Sequence, residues 1–195
     1  MKYRCLVLPL LSVLAVCLSA CSPEVAPSAP SASSTAGVPS LQPYEALATQ
    51  GKGFTVGALM SVNTVYVMFD PQCPHCGHLW EASIPLHKRV KFVWVPVSFI
   101  NAKSTSQGAA LMSATNPVEV MTAHELSILA GTGGIAASAD MAPEIEAAIK
   151  TNTRLLNSLG VESVPYTVAR NARTGQVVSH TGALTTTALA DFLGL

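Results

Sequence analysis

Five short apolar runs along the chain predict β-strands, at residues 54–59, 64–69, 91–99, 166–169 and 177–178. The runs 64–69 (TVYVMF) and 91–99 (KFVWVPVSF) are rich in β-branched and aromatic residues, which is typical of buried strands, and Pro96 interrupts the second run. The alternating run 54–59 predicts an edge strand. A Thr-Gly turn between the last two runs predicts a hairpin.

Helical signals fill the spaces between these runs. After the cysteine pair, the expected buried helix face comprises Leu79, Trp80, Ile84 and Leu86, with Pro85 bending or ending the helix. In the segment 105–160, Asn116-Pro117 and Pro143 each predict a helix start. The expected buried face of the first of these two helices comprises Val118, Met121, Leu126 and Leu129. Thr185 or Thr186 caps a final helix.

The first 20 residues have the pattern of an export signal. Two basic residues precede the apolar run 6–18, which is shorter than the roughly 20 residues of a transmembrane helix. The run ends in Leu-Ser-Ala-Cys21, which resembles the lipobox of bacterial lipoproteins, with Cys21 as the lipidated first residue. An ordinary signal peptide cleaved near Ala20 is the alternative. Ser22 favours the outer membrane over the inner one.

Composition divides the remaining chain into a tether and a domain. Residues 21–43 are rich in Pro, Ala and Ser and predict an extended tether, so the folded domain is expected at 44–195. Without residues 1–20 the chain carries nine basic and eleven acidic side chains. This slightly acidic balance argues against a nucleic-acid partner.

The cysteines indicate where the chemistry lies. Cys5 and Cys17 would leave with the signal segment and Cys21 would be acylated, so Cys73 and Cys76 remain in an oxidising compartment. Two thiols separated by two residues predict a redox-active disulfide. No additional cofactor is expected.

The Cys-Pro-His-Cys motif lies where the strand 64–69 gives way to a helix. Backbone N–H groups and the dipole at a helix N-terminus stabilise a thiolate, so Cys73 is the expected nucleophile. Pro74 suits the first helical turn, and His75 is expected to add a positive charge or a hydrogen bond beside the sulfur. Cys76, one turn later, is expected to be more buried and to act as the resolving thiol.

Other chemistries fit these residues less well. A zinc site usually has four ligands, and no second cysteine pair accompanies the motif, so no metal site is predicted. Haem attachment needs His directly after the second cysteine, where Gly77 stands. An inert structural disulfide is a further alternative. Surface or core positions are expected for the remaining histidines, His78, His87, His124 and His180.

The order of the elements is strand, Cys-x-x-Cys helix, strand, helical segment, two strands and helix. It predicts an α/β thioredoxin fold with a helical insertion between the second core strand and a cis-Pro hairpin. The Val164-Pro165 bond is expected to be cis, and the backbone of Val164 to pair with a substrate strand. Asp70 has two interpretations that the sequence leaves open: a proton relay to Cys76, or a cap of the following turn.

Three segments carry a family resemblance: 66–80 (YVMFDPQCPHCGHLW), 108–125 (GAALMSATNPVEVMTAHE) and 152–168 (NTRLLNSLGVESVPYTV). They resemble the periplasmic thiol:disulfide interchange proteins, most closely the catalytic domain of the DsbG/DsbC type. The resemblance implies that Cys73 is the nucleophile, Cys76 the resolving thiol and Pro165 the cis-proline. It further implies exported substrate proteins with cysteines and a membrane electron donor of the DsbD type.

Three features depart from this branch. A lipid anchor is unusual for its members, which are typically soluble. His75 and Val164 match the oxidase DsbA better. Too few residues precede the first core strand for a dimerisation domain, so a monomer is expected.

The leading hypothesis is a lipid-anchored periplasmic reductase or isomerase of disulfides, including sulfenylated cysteines, in exported proteins. A DsbA-like dithiol oxidase is the alternative. A further alternative is a metal-handling or chaperone lipoprotein that uses the fold for binding only.

Overall fold

The structure, a computed structural model, describes residues 42–138 and 140–195. The predicted signal segment, Cys21 and nearly all of the tether lie outside the described residues. The helices are α1 Pro43–Gln50, α2 Pro74–Ser83, α3 Lys103–Met112, α4 Pro117–Leu129, α5 Pro143–Ser158 and α6 Thr186–Leu193. The strands are β1 Phe54–Gly57, β2 Thr64–Phe69, β3 Lys91–Pro96, β4 Tyr166–Arg170 and β5 Val177–Thr181, with a short 3-10 helix at Ile84–Leu86. Within this part of the chain no helix combines the length and apolarity needed to cross a bilayer.

One mixed sheet organises the domain, with the strand order β1-β3-β2-β4-β5. The central strand β2 runs parallel to β3 and antiparallel to β4, and the outer pairs are antiparallel. The predicted edge strand is confirmed, because β1 pairs with β3 and lies at one end of the sheet. The predicted hairpin is confirmed as β4 and β5.

Aromatic contacts attach helices to both faces of the sheet. On one face, Tyr66 of β2 meets Tyr44 of α1 edge to face, with ring centroids 5.3 Å apart. On the other face, Trp94 of β3 lies between Phe69 of β2 and Trp80 of α2, with centroid separations of 5.4 and 5.2 Å. The buried rings thereby fix α2, which carries the cysteine pair, against the sheet.

The helical insertion is observed between β3 and β4, where α3, α4 and α5 follow one another. Helix α5 packs against β3 and α1, whereas α4 packs against α2. The thioredoxin fold with its insertion is therefore confirmed. Asn116 caps α4 and Thr185 caps α6, each accepting a hydrogen bond from the backbone N–H three residues later.

Two predictions about where an element ends and which of its residues are buried were wrong. The strand predicted at 91–99 ends at Pro96, and Phe99 beyond it is 46% exposed. Helix α2 ends at Ser83, so Ile84 falls in the 3-10 helix and is largely exposed. In both places the chain changes conformation at or next to a proline, which lacks a backbone N–H.

The predicted buried face of α4 was also wrong in two positions. Val118 and Leu126 are exposed. The buried side chains are instead Met121, His124, Glu125 and Ile128. They follow the i, i+3, i+4, i+7 pattern of one helix face, but half of them are polar.

Candidate active site

The two cysteines lie at the start of α2, as free thiols. Cys73 is the N-cap residue, in extended conformation, and Pro74 occupies the first helical turn as predicted. Cys73 is 5% exposed and Cys76 is completely buried. Cys73, the predicted nucleophile, is therefore less accessible than the sequence suggested, but it is the thiol of the pair that retains contact with solvent.

The first turn of α2 stabilises the Cys73 thiolate. The pKa of Cys73 is lowered to about 7, chiefly by a hydrogen bond from the Cys76 side chain, while burial opposes the shift. Backbone hydrogen bonds from Cys76 and His75 lower the pKa further, as expected at a helix N-terminus. The His75 side chain itself is exposed, and its predicted charge contribution stays a prediction.

Cys76 has the opposite electrostatic environment. Burial raises the pKa of its thiol well above the ordinary value, and the hydrogen bond that it gives to Cys73 adds to the shift. Charge on Cys73 and Glu125 would raise this pKa further. The pair thus combines one thiol that ionises near neutral pH with one that stays protonated.

The loop before β4 faces the cysteine pair. The Val164-Pro165 peptide bond is cis, as predicted. The thiol of Cys73 lies 3.5 Å from the carbonyl oxygen of Val164, to which it donates a hydrogen bond. Residues 91 positions apart in the chain therefore meet at the reactive sulfur, and both are buried.

Asp70 is completely buried at the carboxyl end of β2. One oxygen, Oδ1, accepts hydrogen bonds from the backbone N–H of Gln72 at 2.8 Å and the Ser104 hydroxyl at 2.7 Å. The other, Oδ2, accepts from the backbone N–H groups of Phe99 at 2.6 Å and Ile100 at 2.8 Å. This geometry supports the capping interpretation, because all four bonds hold the loops around the active site together.

His124 connects the active-site turn to the insertion. Its Nδ1 accepts a hydrogen bond from the backbone N–H of Ile135, so Nε2 carries the proton and donates to the carbonyl of Pro71 at 2.7 Å. Burial lowers the pKa of His124, which agrees with a neutral ring. Residue 134 is glycine for a related reason: its φ is +84°, and a Cβ there would meet the His124 ring at 2.5 Å.

Glu125 lies on the same face of α4 and is only 1% exposed. Neither carboxyl oxygen has a hydrogen-bond partner among the described residues. A Cβ at Gly77, the residue after Cys76, would be 3.0 Å from Glu125 Oε2, so the carboxyl group lies directly against the first turn of α2. Burial, with charge on Cys73, Asp70 and Glu81, raises the pKa of Glu125 to about 9.

Sequence comparison places the chain beside two disulfide-exchange proteins, although no family model matches it. It is 28% identical over 132 residues to the thiol:disulfide interchange protein DsbG of Pseudomonas aeruginosa. The aligned region covers 67% of this chain and 50% of that protein. It is 26% identical over 103 residues to DsbG of Escherichia coli, covering 52% of this chain and 41% of that protein. The chain thus spans half or less of the length of these curated relatives.

Solved structures give the same fold at lower identity. The catalytic domain of Proteus mirabilis ScsC superposes with a TM-score of 0.56 at 18% identity, covering 76% of this chain and 95% of that domain. A thioredoxin-like oxidoreductase from Silicibacter pomeroyi reaches a TM-score of 0.59 at 19% identity, covering 76% and 94%. The chain therefore has a thioredoxin fold, and its sequence is similar to those of the two DsbG proteins.

The sequence analysis did not predict two buried residues of this site, His124 and Glu125. The sequence carries a signal for them in the spacing of Met121, His124, Glu125 and Ile128, which matches one helix face as well as the predicted apolar set does. Within residues 42–138 and 140–195, no group of three or more His, Cys, Asp or Glu side chains is arranged to hold a metal ion.

Proposed function

We propose that this protein is a thiol–disulfide oxidoreductase of the bacterial periplasm. The observation that carries the proposal is the pairing of Cys73, whose pKa is lowered to about 7, with the buried Cys76 at the N-terminus of α2. The Cys73 thiolate attacks a substrate disulfide and forms a mixed disulfide, releasing one substrate thiolate. Cys76 then attacks the Cys73 sulfur, which releases the second substrate thiolate and leaves a Cys73–Cys76 disulfide.

Cys73→Ser tests this proposal. We expect the wild-type protein to catalyse reduction of a disulfide-containing model substrate by dithiothreitol, and Cys73→Ser to lose that activity. Cys76→Ala should retain the attack and accumulate a mixed disulfide through Cys73, visible by mass spectrometry. Unchanged activity in Cys73→Ser would contradict the proposal and favour a protein that uses the fold for binding only.

The direction of electron flow is proposed to be reducing, as in a reductase or isomerase. A strongly lowered pKa stabilises the reduced pair and makes it oxidising. Among thioredoxin-fold proteins, a thiol pKa near 3.5 accompanies a potential of about −120 mV, and one near 7 accompanies about −270 mV. The Cys73 pKa of about 7 is on the reducing side of this range. The similarity to two DsbG proteins supports the same direction.

Equilibration with glutathione redox buffers measures the potential directly. We expect a value closer to about −270 mV than to −120 mV. In cells, acid quenching followed by thiol alkylation should find Cys73 and Cys76 largely reduced, because a membrane donor of the DsbD type returns electrons to the pair. A largely oxidised pair with a high potential would favour the DsbA-like oxidase instead.

The proposed substrates are exported proteins with disulfides or sulfenylated cysteines. We further propose that the protein is a monomer attached to the outer membrane by a lipid on Cys21. Metabolic labelling with a radioactive fatty acid tests the anchor, since Cys21→Ala should abolish labelling and release the protein from membranes. Labelling that survives Cys21→Ala would contradict it.

A further inference from the structure

The environment of Glu125 suits no structural role. An unpartnered polar group loses its water on burial and gains no hydrogen bond, so the carboxyl group destabilises the fold where it stands. The titratable groups around it are Cys73, Asp70 and Glu81, with Cys76 on the adjoining turn. All of these become anionic on ionisation, and none of the salt bridges among the described residues includes Glu125.

The resolving thiol, in turn, needs a group that can take its proton. Cys76 must be deprotonated to attack the mixed disulfide, yet it is completely buried and its pKa is raised well above the ordinary value. The nearby Asp70 is poorly suited to accept that proton, because its two oxygens already accept four hydrogen bonds. Glu125 is the buried carboxyl group whose oxygens are unoccupied among the described residues, and it adjoins Gly77, the neighbour of Cys76.

We propose that Glu125 accepts the proton of Cys76 as that thiol attacks the mixed disulfide, a role that rests on the thiol–disulfide exchange proposed above. In this step the Cys76 S–H bond breaks and its proton goes to the Glu125 carboxylate. The Cys76 sulfur bonds to the Cys73 sulfur, and the bond between Cys73 and the substrate sulfur breaks, with its electron pair leaving on the substrate thiolate.

The charge on Cys73 affects the stage of the exchange reaction at which Glu125 can ionise. In the reduced protein, the Cys73 thiolate is one of the causes that raise the pKa of Glu125 and keep the carboxyl group protonated. In the mixed disulfide the Cys73 sulfur is uncharged, so this cause disappears and Glu125 ionises more readily. The carboxylate is therefore easier to form at the stage at which Cys76 has to be deprotonated, although burial, the largest cause of the raised pKa, persists.

A stopped-flow reaction with Ellman's reagent separates the two steps. The first release of thionitrobenzoate reports the attack of Cys73, and the second reports the attack of Cys76 on the mixed disulfide. We expect Glu125→Gln to slow the second release at least tenfold at pH 7, since positioned proton transfer contributes about 10²–10⁴-fold. The first release should change less than about twofold, because a protonated Glu125 and a glutamine are both uncharged.

Two further variants distinguish proton transfer from packing. Glu125→Asp keeps an acid on the same helix face and should recover part of the second rate, with a changed pH profile. Glu81→Gln removes an exposed acid of α2 whose charge also reaches Glu125, and should leave the second rate within about twofold. Equal slowing of both releases, or an unchanged second release in Glu125→Gln, would overturn the inference while leaving the exchange itself intact.

An infrared measurement covers the case in which Glu125→Gln does not fold. In Cys76→Ala protein at pH 8, conversion of Cys73 to its mixed disulfide should weaken the absorption of a protonated carboxyl group. An unchanged carboxyl absorption would exclude the proposed ionisation. Loss of the first thionitrobenzoate release from wild-type protein would instead contradict the proposed function, so the two failures are distinguishable.

Discussion

Two buried carboxyl groups flank the cysteine pair, and their surroundings are opposite. Asp70, next to the end of β2, accepts four hydrogen bonds from the turn before α2, the connection between β3 and α3, and the first turn of α3. Glu125, on α4, has no hydrogen-bond partner among the described residues. Equal burial therefore accompanies two different roles: four donors hold one group in place, whereas the other keeps its oxygens free for a proton.

The largest expected effect comes from removing the bonded carboxyl group. Asp70→Ala leaves the backbone N–H groups of Gln72, Phe99 and Ile100 without their acceptor. We expect the free energy of unfolding to fall by about 3–5 kcal/mol, as for breaking a buried charged network. Urea denaturation measures the change. Ser104→Ala, which removes one of the four donors, should cost about 1–2 kcal/mol, and an equal loss in both variants would contradict the network.

At alkaline pH, Glu125→Gln should raise the free energy of unfolding, whereas Asp70→Ala should lower it. The ordinary pKa of 4.5 is raised to about 9 in the folded protein, so between these values the native state holds a proton that the unfolded state has lost. Stability from this group is therefore full below pH 4.5 and falls as the pH rises towards 9, by up to about 1.4 kcal/mol per pH unit.

Glutamine does not titrate, so Glu125→Gln does not lose folding stability through this group as the pH rises. Urea denaturation should find Glu125→Gln more stable than wild type by up to about 5 kcal/mol at pH 8, and of similar stability at pH 4. A variant that is destabilised equally at both pH values would show that Glu125 is held by contacts like those of Asp70. Comparing the two proteins at each pH cancels the contributions of the other titrating groups.

The reactivity of Cys73 gives a third contrast, measured by the pH dependence of iodoacetamide alkylation. The midpoint should lie near pH 7 in Cys76→Ser, which keeps a side-chain donor, and about one pH unit higher in Cys76→Ala. Adding Glu125→Gln to Cys76→Ser should leave the midpoint unchanged, because the protonated acid carries no charge. A lower midpoint in the double variant would mean that Glu125 is ionised beside the thiol.

The smallest expected effect lies at the start of the helix that carries Glu125. Asn116→Ala removes the side chain that accepts a hydrogen bond from the backbone N–H of Glu119. We expect a loss of about 1 kcal/mol in the free energy of unfolding. The second thionitrobenzoate release should stay close to the wild-type rate, since the cap lies about two turns from Glu125. Asn116→Asp, which keeps an acceptor, is the matched control.

Much of the fold could be predicted because its signals are local. β-Branched and aromatic residues in 64–69 specify the central strand with the observed bounds, and Asn116 and Thr185 mark helix starts through their own side chains. The Cys-Pro-His-Cys motif placed Cys73 at a helix N-terminus for the same reason. Extended apolar runs were less reliable: the strand predicted at 91–99, with an interruption at Pro96, does not resume beyond that residue.

The sequence by itself therefore determined the order of the elements from β1 onward, the position of the cysteine pair and the Val164-Pro165 loop. Only the tertiary structure supplied the hydrogen bonds that favour the capping interpretation of Asp70, because its donors come from residues up to 34 positions away. Only the tertiary structure brought Glu125 against Gly77, since the packing of α4 on α2 depends on contacts between elements that β3 and α3 separate along the chain. Local patterns report which face of an element is apolar, but the acidity of a buried group depends on which neighbours the completed fold places around it.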